Sequence, residues 1–459
     1  MITDSFLSLR RAARAAERKG AAVITAQQQQ RLAALVAHAR GASPYFRRLY
    51  GTLPEGAVEL GALPPVRKPE LMARFDEWVT DPAVRLRDLA AFVADPTRLG
   101  EDYLGRYTVS TTSGSSGEPA VILHDLGALR VYNVLGYSRA LGRFLSFDLF
   151  RRLVAGRLHS AAVFATGGHF LSNTMIARRL RTHPIRARYT RLLSALTPLP
   201  KLVAELNEFR PVLFSGYPSV LFLLAKEQEA GRLRLRPAFV SLGGETVGPG
   251  VKERIAAAFG CPVQDYYGST EAVGLTFACS QGRLHVNSDW YILEPVNRAG
   301  QATPPGESSE TVLLTNLANY VQPIIRYVLD DRVMLDTAPC PCGSPFQTIQ
   351  VEGRTDDTLV FPGQGGEAVA IPPLAISTVV EETAGVRRVQ LIQTAPQTLR
   401  VRLDLSEPRE TVWPVVKERL GAFLRGHQAV GVILEEAAEP PALHPRSGKF
   451  RQVFSEVRR

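Results

Sequence analysis

From Val121 to about Val333, apolar β-type segments alternate with amphipathic helical segments, and this alternation limits the possible folds more than any other feature. AFVSLGGE, GPGVKERIAAAFG and PVQDYYG are three successive examples. Such alternation predicts parallel sheets built from βαβ units. Ligands usually bind at the carboxyl ends of strands in such sheets. Because SGYPS, LGGET and YYGSTE each directly follow a predicted strand, we expect all three to open onto one face.

The pattern changes near Gly353, which predicts a domain boundary. At 459 residues the chain is longer than one typical core, so two or three domains are expected. Beyond Gly353 the order helix, strand, strand, helix, strand predicts a compact α+β unit of ordinary domain size. We therefore predict an α/β protein with a large N-terminal domain over residues 1–353 and a small, mobile C-terminal domain over residues 354–459.

Composition narrows the class of protein. Hydrophobic residues make up 45% and charged residues 21%, as in ordinary globular proteins. The Arg-rich N-terminus is similar to an organellar transit peptide, but Asp4 and Glu17 favour a surface helix. The net charge of +10 comes from residues spread along the chain without interleaved aromatic residues, which argues against nucleic-acid binding. We expect a cytoplasmic protein that binds neither a membrane nor a nucleic acid.

The loop TSGSSGEP, residues 112–119, combines hydroxyl side chains with glycines. Gly114 and Gly117 allow backbone N–H groups to turn toward one point, and Ser113, Ser115 and Ser116 add donors without bulk. The spacing differs from the G-x-x-x-x-G-K-[ST] of a Walker loop. Taken alone, the segment fits either a phosphate-binding loop or a flexible Ser/Gly linker.

Four later segments carry side chains that suit a nucleotide. In DYYGSTEA, Tyr267 can stack on an adenine and Glu271 can hold Mg²⁺ beside phosphates. In IIRYVLDD, Asp331 can accept both hydroxyls of a ribose. Arg354 lies at the predicted domain boundary, and Lys449, one of few lysines, lies in a Gly-flanked segment near the C-terminus.

The order of these segments resembles that of the acyl-adenylate-forming (AMP-binding) superfamily, and within it the phenylacetate–CoA ligase branch. The resemblance is carried by HARGASPYFRRLYG, TSGSSGEP, YYGSTE, IIRY with its following Asp, PCPCG, GRTDD and the terminal SGK, which occur in the branch's order. Each motif alone is weakly or moderately specific. The ordered set is specific, and it covers nearly the whole chain.

The resemblance implies how a nucleotide would be held. The loop of residues 113–117 would bind the β- and γ-phosphates of ATP, and Thr270 and Glu271 would contact the α-phosphate and Mg²⁺. Asp331 would take the ribose hydroxyls, with Asp330 as the open alternative. The other nucleotide-binding residues that the resemblance implies are Gly243, Gly244, Glu245, Tyr267, Gly268 and Arg354.

The resemblance also implies a moving domain. Asp356 would be the hinge, and Lys449 would reach from the small domain to the substrate carboxylate and the α-phosphate. A lysine and Mg²⁺ would screen the repulsion between a carboxylate and a phosphate where charge builds up. The lysine would then make way for the acceptor of the second step.

The pocket for the acid is the least constrained part of the sequence. Glycines and aromatic side chains would suit a flat ring, although such residues more often belong to a core. The candidates are Tyr137, His169, Phe170, Ser215, Gly216 and Tyr217, with Gly243 beside them.

The cysteines form a second group. Cys279, His285, Cys340 and Cys342 match the ligand number and softness of a structural Zn²⁺ site. The C-x-C spacing is tighter than usual, so buried thiols in a core are the alternative. Cys261 lies outside the group and is predicted to be a core residue.

We therefore expect an ATP- and Mg²⁺-dependent enzyme that activates a small, aromatic carboxylic acid as its adenylate and transfers the acyl group to coenzyme A. A stand-alone adenylase that serves an amine or a carrier-protein thiol is the alternative. A third possibility is a nucleotide-binding protein that has lost catalysis. A homodimer is possible.

Overall fold

The computed structural model describes residues 2–54, 59–112, 119–140, 147–248, 250–354, 357–371, 373–444 and 449–457. The predicted phosphate loop (residues 113–117) and the predicted hinge Asp356 lie outside these ranges. No helix within the ranges is long and apolar enough to cross a bilayer.

The α-helices of the described ranges are α1 (Phe6–Lys19), α2 (Ala21–Ala42), α3 (Pro44–Leu49), α4 (Lys68–Ala73), α5 (Phe75–Trp78), α6 (Leu86–Ala94), α7 (Leu126–Leu135), α8 (Phe147–Ala155), α9 (Leu171–Thr182), α10 (Leu199–Phe209), α11 (Pro218–Glu229), α12 (Val251–Phe259), α13 (Pro373–Glu381) and α14 (Arg409–Gly426). A π-helical turn, Gly136–Ala140, continues α7.

The strands are β1 (Asp102–Tyr103), β2 (Tyr107–Thr111), β3 (Val121–Asp125), β4 (Ser160–Phe164), β5 (Thr190–Ser194), β6 (Leu213–Gly216), β7 (Phe239–Gly243), β8 (Val263–Tyr266), β9 (Thr276–Ala278), β10 (Leu284–Val286), β11 (Tyr291–Val296), β12 (Thr311–Asn316), β13 (Ile324–Val328), β14 (Asp331–Leu335), β15 (Thr348–Arg354), β16 (Leu359–Pro362), β17 (Ala368–Ile371), β18 (Val386–Ala395), β19 (Thr398–Leu405), β20 (Ile433–Glu436) and β21 (Val453–Ser455).

The predicted parallel sheet is confirmed over β4 to β8. Its five strands follow the order β5-β4-β6-β7-β8, and every neighbouring pair is parallel. The crossovers are the helices α9 to α12, and α10, α11 and α12 bury Leu206, Leu221 and Ile255 in one core with the strands. Gly216 pairs with Leu242, and Gly243 pairs with Tyr266. The carboxyl ends of β6, β7 and β8 therefore lie side by side.

The chain after β8 differs from the prediction of continued βαβ units. Strands β9 to β15 are joined without an α-helix and form antiparallel sheets, in the orders β14-β15-β10-β9 and β11-β12-β13. Antiparallel neighbours need only short turns, whereas parallel neighbours need a crossover. These strands share the largest core with the N-terminal helices α1 to α7.

The C-terminal unit has the predicted α+β pattern. Strands β18 to β21 form a mixed sheet in the order β20-β19-β18-β21, and α13 and α14 pack on it. Its core contains only residues from Leu359 to Val453. The boundary at residues 353/354 stays a prediction.

A buried ion pair joins three distant segments of the large core. The Arg139 guanidinium lies 2.7 and 2.9 Å from the two Asp289 carboxylate oxygens, and neither side chain is exposed. Arg139 also donates to the Asn287 side chain and to the Ala13 carbonyl oxygen, at 2.7 and 3.1 Å. The π-helical turn is therefore fastened to α1 and to the segment before β11.

Removal of this guanidinium leaves the Asp289 carboxylate buried without its main partner. We expect Arg139→Met to lower the free energy of unfolding by about 3 kcal/mol. Urea unfolding followed by tryptophan fluorescence reports on it, because Trp78 and Trp290 belong to the same core. Arg87, whose side chain is 93% exposed, supplies the control Arg87→Met. Equal stabilities of the two variants would contradict the structural role of the pair.

Candidate active site

A cavity of about 560 Å³ opens at the carboxyl ends of β7 and β8 and is closed on one side by the C-terminal unit. Residues of the large unit that line it include Thr112, Glu245, Tyr267 and Asp331, and Lys449 lines it from the small unit. The structure therefore brings the motif residues of YYGSTE, LGGET and the terminal SGK to one place. We call this space the first cavity.

Asp331 begins β14 and lies opposite Arg354 of β15 in the antiparallel ladder. The Tyr267 hydroxyl donates to its carboxylate at 2.8 Å, and Arg354 Nε lies 4.0 Å from it. Burial raises the pKa of Asp331 to about 6, although the Arg354 charge acts in the opposite direction. Asp330 also lines the cavity, with a left-handed backbone at φ 56°. The role of Asp331 as the sugar-binding acid, with Asp330 as the alternative, stays a prediction.

Glu271 is a second acid held by a tyrosine. Its side chain is buried, and one carboxylate oxygen accepts from the Tyr327 hydroxyl at 3.2 Å. The Glu271 carbonyl oxygen accepts from the Asn316 amide at 2.8 Å, which fixes the backbone next to Thr270. Thr270 and Glu271 both line the first cavity. That Tyr327, which belongs to the motif IIRY, holds the Glu271 carboxylate was not predicted from the sequence.

Lys449 reaches the first cavity from the C-terminal unit. The next residue, Phe450, donates its backbone N–H to the Glu245 carboxylate at 2.6 Å. Ser219 gives the same carboxylate two more hydrogen bonds, at 3.0 and 3.1 Å. Burial lowers the pKa of Lys449, while the nearby Glu245 carboxylate acts to raise it. Glu245, predicted only as part of the adenine slot, therefore also fastens the lysine segment to the large unit.

Two glycines are required by close contacts around this lysine. Gly244 has φ 84°, and a Cβ on it would lie 2.8 Å from Cε1 of Tyr217 and 3.9 Å from Cε of Lys449. A Cβ on Gly268 would lie 3.0 Å from the Ala272 carbonyl oxygen. The backbone at both positions thus comes closer to its neighbours than a side chain would permit.

A second cavity, of about 450 Å³, adjoins the first. The two share a junction that consists of Gly244, Tyr266, Tyr267, Gly268, Ser269, Thr270 and Lys449. Side chains of the second cavity are mainly apolar; its further lining includes Tyr132, Leu135, Gly136, Ala140, Phe164, Leu171, Val273 and Asn287.

Among the predicted acid-pocket residues, Phe170, Tyr217 and Gly243 line the second cavity. Tyr217 packs edge-on against Phe164 at 5.1 Å between ring centroids. Most of the remaining lining, such as Leu135 and Val273, carries no signal in the sequence beyond hydrophobicity.

Four other predicted pocket residues do not line this cavity. Tyr137 is 41% exposed, with its ring beside Arg179. The His169 ring is buried against Phe92, and burial lowers its pKa. Ser215 and Gly216 lie within β6, where a Cβ on Gly216 would lie 2.2 Å from Cδ1 of Leu221. The His169 carbonyl oxygen accepts from Thr111 N–H at 2.7 Å. His169 therefore contacts the end of β2 through its backbone, while its side chain stays outside the cavity.

The predicted phosphate loop lies outside the described residues, but its flanks are described. Thr112 and Ala120 exchange hydrogen bonds of 2.8 and 2.9 Å, which close the chain on either side of the loop. Thr112 lines the first cavity.

The predicted metal-binding group is assembled in space. The ligand atoms of Cys279, His285, Cys340 and Cys342 all lie within 4.8 Å of one another. The thiols of Cys279 and Cys340 are 3.7 Å apart, and the Cys342 thiol lies 3.4 Å from Nε2 of His285. The other ring nitrogen of His285 contacts the Phe346 carbonyl oxygen at 2.8 Å, which directs Nε2 toward the thiols.

Comparison with known proteins agrees with this architecture. Residues 106–310 match the AMP-binding enzyme family. A phenylacetate–coenzyme A ligase of Thermus thermophilus is 25% identical over 469 residues, which cover 94% of this chain and 96% of that protein.

Solved structures of two CoA ligases share the fold. A 2-hydroxyisobutyryl-CoA ligase in the postadenylation state with 2-HIB-AMP superposes with a TM-score of 0.67 at 20% identity, over 99% of this chain and 93% of the other. The same ligase in its thioesterification state, with 2-HIB-AMP and CoA, gives 0.55 at 20% identity, over 96% and 91%. An anthranilate CoA ligase with anthranoyl-AMP gives 0.52 at 15% identity, over 75% and 65%.

Residues 106–310 match the AMP-binding enzymes, and the fold is that of acyl-adenylate-forming CoA ligases. Within this class the chain is phenylacetate–CoA ligase-like, which confirms the resemblance drawn from its motifs.

The raised pKa of Asp331, about 6, predicts that nucleotide binding depends on pH. The ionised carboxylate is the stronger acceptor for ribose hydroxyls, and it predominates only above that pKa. We expect ATP affinity to increase by up to about tenfold between about pH 5 and pH 7 and then to level off. Titration calorimetry of wild type, Asp331→Asn and Asp330→Asn tests the assignment. If the increase in ATP affinity with pH is lost in Asp330→Asn but kept in Asp331→Asn, Asp330 is the residue that binds the ribose.

Proposed function

We propose that this chain is an ATP-dependent, AMP-forming acid–CoA ligase that acts on a small aromatic carboxylic acid. The observation that carries the proposal is the junction between the two cavities. The first cavity contains acids and cations that suit a nucleotide, the second is lined by apolar and aromatic groups, and Lys449 and Thr270 line both. A carboxylate at the mouth of the second cavity and an α-phosphate in the first would meet at these two residues.

In the first step, the acid's carboxylate attacks the α-phosphorus of ATP, and pyrophosphate leaves. Lys449 would screen the repulsion between the two anions and orient both of them. Thr270 would donate its hydroxyl to an α-phosphate oxygen. Asp331 and the hydroxyl of Tyr267 would fix the ribose, since they already form a hydrogen-bonded pair of 2.8 Å.

Mg²⁺ fits the donor set beside this junction. Glu271 offers a buried carboxylate, and one of its oxygens already accepts from Tyr327. One carboxylate together with substrate phosphates is a usual environment for this ion. When bound, Mg²⁺ would neutralise part of the phosphate charge.

In the second step, the coenzyme A thiol would attack the acyl carbon of the adenylate and release AMP. Lys449 lines the junction in the present arrangement, and a turn of the small domain would take it away before coenzyme A reacts. The predicted hinge is Asp356, and the hydrogen bond between Phe450 and Glu245 has to break during the turn. A solved neighbour adopts separate postadenylation and thioesterification states, which supports such a motion.

The aromatic preference is proposed from the walls of the second cavity. Phe164, Phe170, Tyr217 and Tyr132 provide rings that can pack against a flat substrate. The relatives whose names mention phenylacetate and anthranilate agree with this choice. The hydroxyisobutyryl ligase shows that the fold alone does not require an aromatic acid.

We also propose a structural Zn²⁺ held by Cys279, His285, Cys340 and Cys342. Thiolates about 2.3 Å from a tetrahedral zinc would lie about 3.8 Å apart, and the Cys279 and Cys340 thiols are 3.7 Å apart. Four protein ligands leave no open position for a substrate, so the role would be structural. A homodimer and a cytoplasmic location stay predictions.

A pyrophosphate-release screen of aryl and alkyl acids, with and without coenzyme A, tests the function. We expect release with an aryl acid, and thioester formation only when coenzyme A is present. Lys449→Ala should reduce release by about a hundredfold or more, because one electrostatic partner of the reacting groups is lost. Lys417→Ala, at an exposed position of α14, is the matched control.

Two results would contradict the proposal in different ways. Pyrophosphate release at the wild-type rate by Lys449→Ala would show that the lysine takes no part in the first step. Release that produces a stable adenylate but no thioester with coenzyme A would favour the stand-alone adenylase, which transfers its acyl group to an amine or to a carrier-protein thiol.

Metal analysis of the purified protein tests the zinc site. We expect about one zinc ion per chain in wild type and in Cys261→Ala, and none in Cys342→Ala. Chelation should lower the thermal stability of wild type but not that of Cys342→Ala. Wild-type protein that contains no metal, and whose thermal stability chelation does not change, would show that the four residues only pack in the core.

A further inference from the structure

The π-helical turn Gly136–Ala140 forms one wall of the second cavity, through Gly136 and Ala140. A π-turn widens a helix locally and is frequent at functional sites. Here it follows α7, which lines the same cavity with Tyr132 and Leu135. The wall therefore ends in a wide turn with small residues.

Gly136 is not required by its backbone or by its neighbours. It has φ −59° and ψ −49°, an ordinary right-handed helical conformation. Among the described residues, and apart from its chain neighbours and its own helix backbone, a Cβ built on it would meet no atom within 4 Å. A glycine in such a position destabilises a helix relative to alanine. Gly216 and Gly244, by contrast, would each place a Cβ within 3 Å of a neighbour. The missing side chain at Gly136 thus provides space rather than conformational freedom.

The backbone around Gly136 is held in place by buried contacts. Arg139, three residues further along the turn, is fully buried and bound to Asp289, and it donates to Asn287, which itself lines the cavity. Asn287 is held in addition to the Gly274 carbonyl oxygen at 2.7 Å. A larger residue at position 136 would therefore fill open space instead of moving the turn.

The second cavity also restricts charge. Its described lining contains Lys449 at the junction but neither aspartate, glutamate nor arginine. A second charge on the acid would be buried without a partner, which is strongly unfavourable. One polar group of the lining is already engaged, because Asn316 donates to the Tyr132 hydroxyl at 2.9 Å.

We propose that Gly136 determines the maximum size of the acid, and that the substrates are monocarboxylic acids with an uncharged, apolar body. This inference rests on the proposed function, because it assigns the second cavity to the acid. Gly136 acts as a specificity-determining position and takes no part in the chemistry.

The series Gly136→Ala, Gly136→Val and Gly136→Leu tests the inference. Pyrophosphate release is measured with acetate, benzoate, phenylacetate and 3-phenylpropionate, and the largest acid that wild type accepts is compared with the smallest. We expect kcat/KM for the largest accepted acid to fall at least tenfold by Gly136→Leu, and that for the smallest to change little. Gly41→Leu is the matched control, because Gly41 is a helical glycine without neighbours and lies outside the cavity. An unchanged acid profile in Gly136→Leu would overturn the role of Gly136.

Charge is tested with phthalate against benzoate, which differ by one carboxylate on the same ring. We expect wild type to use benzoate at least a hundredfold better; equal use would overturn the uncharged substrate class. Direct binding of the acids, measured by ligand-detected NMR, separates this inference from the proposed function. Acids that bind wild type but release no pyrophosphate would refute the ligase function alone, and their unaltered binding to Gly136→Leu would refute the size limit.

Discussion

The contact between Glu245 and the segment around Lys449 is the interaction on which the active site depends. The lysine belongs to the small C-terminal unit, yet it lies among acids of the large unit, where burial lowers its pKa. One carboxylate, Glu245, links the two units because it accepts from Ser219 on one side and from Phe450 on the other. The Phe450 ring also packs under the Arg388 guanidinium, 3.7 Å from its centroid, which supports the same segment. Without these contacts the ammonium group would remain in water, where its interaction with a phosphate is much weaker.

Two other acids of the site, Asp331 and Glu271, are each positioned by a tyrosine hydroxyl that donates to the buried carboxylate. Tyr267 donates to Asp331 and Tyr327 to Glu271, at 2.8 and 3.2 Å. A hydroxyl stabilises an ionised carboxylate without adding charge, so the acid keeps free acceptor capacity for a ligand. Burial nevertheless raises the pKa of Asp331, which shows that desolvation outweighs the hydrogen bond and the Arg354 charge. The acids are therefore placed in advance of any ligand and remain open to it.

The sequence predicted the first cavity better than the second, for a physical reason. The first is built from loops that leave strand ends, and parallel strands bring such loops together whatever the details of packing. Lys449, Glu271, Asp331 and Tyr267 all meet there. The second cavity depends on side-chain direction, which alternates along a strand and was not readable. Phe170 faces it while the His169 ring packs against Phe92. The antiparallel sheets after β8 were missed because short strands without helices between them lack a strong periodic signal.

The basic charge of the chain is concentrated in the region of the parallel sheet. The basic residues are less evenly distributed along the chain than we predicted from the sequence. Residues 147–248 contain fifteen lysines and arginines and six aspartates and glutamates. Several of these arginines surround a depression at the amino-terminal edge of the parallel sheet, away from the active site. The crossover helices α10 and α11 end there, and helix C-termini carry partial negative charge. Arg210 and Arg234 donate to the carbonyl oxygens of Asn207 and Gly231, at 3.2 and 3.3 Å. Two of these arginines are thereby matched to backbone carbonyl groups of the fold itself.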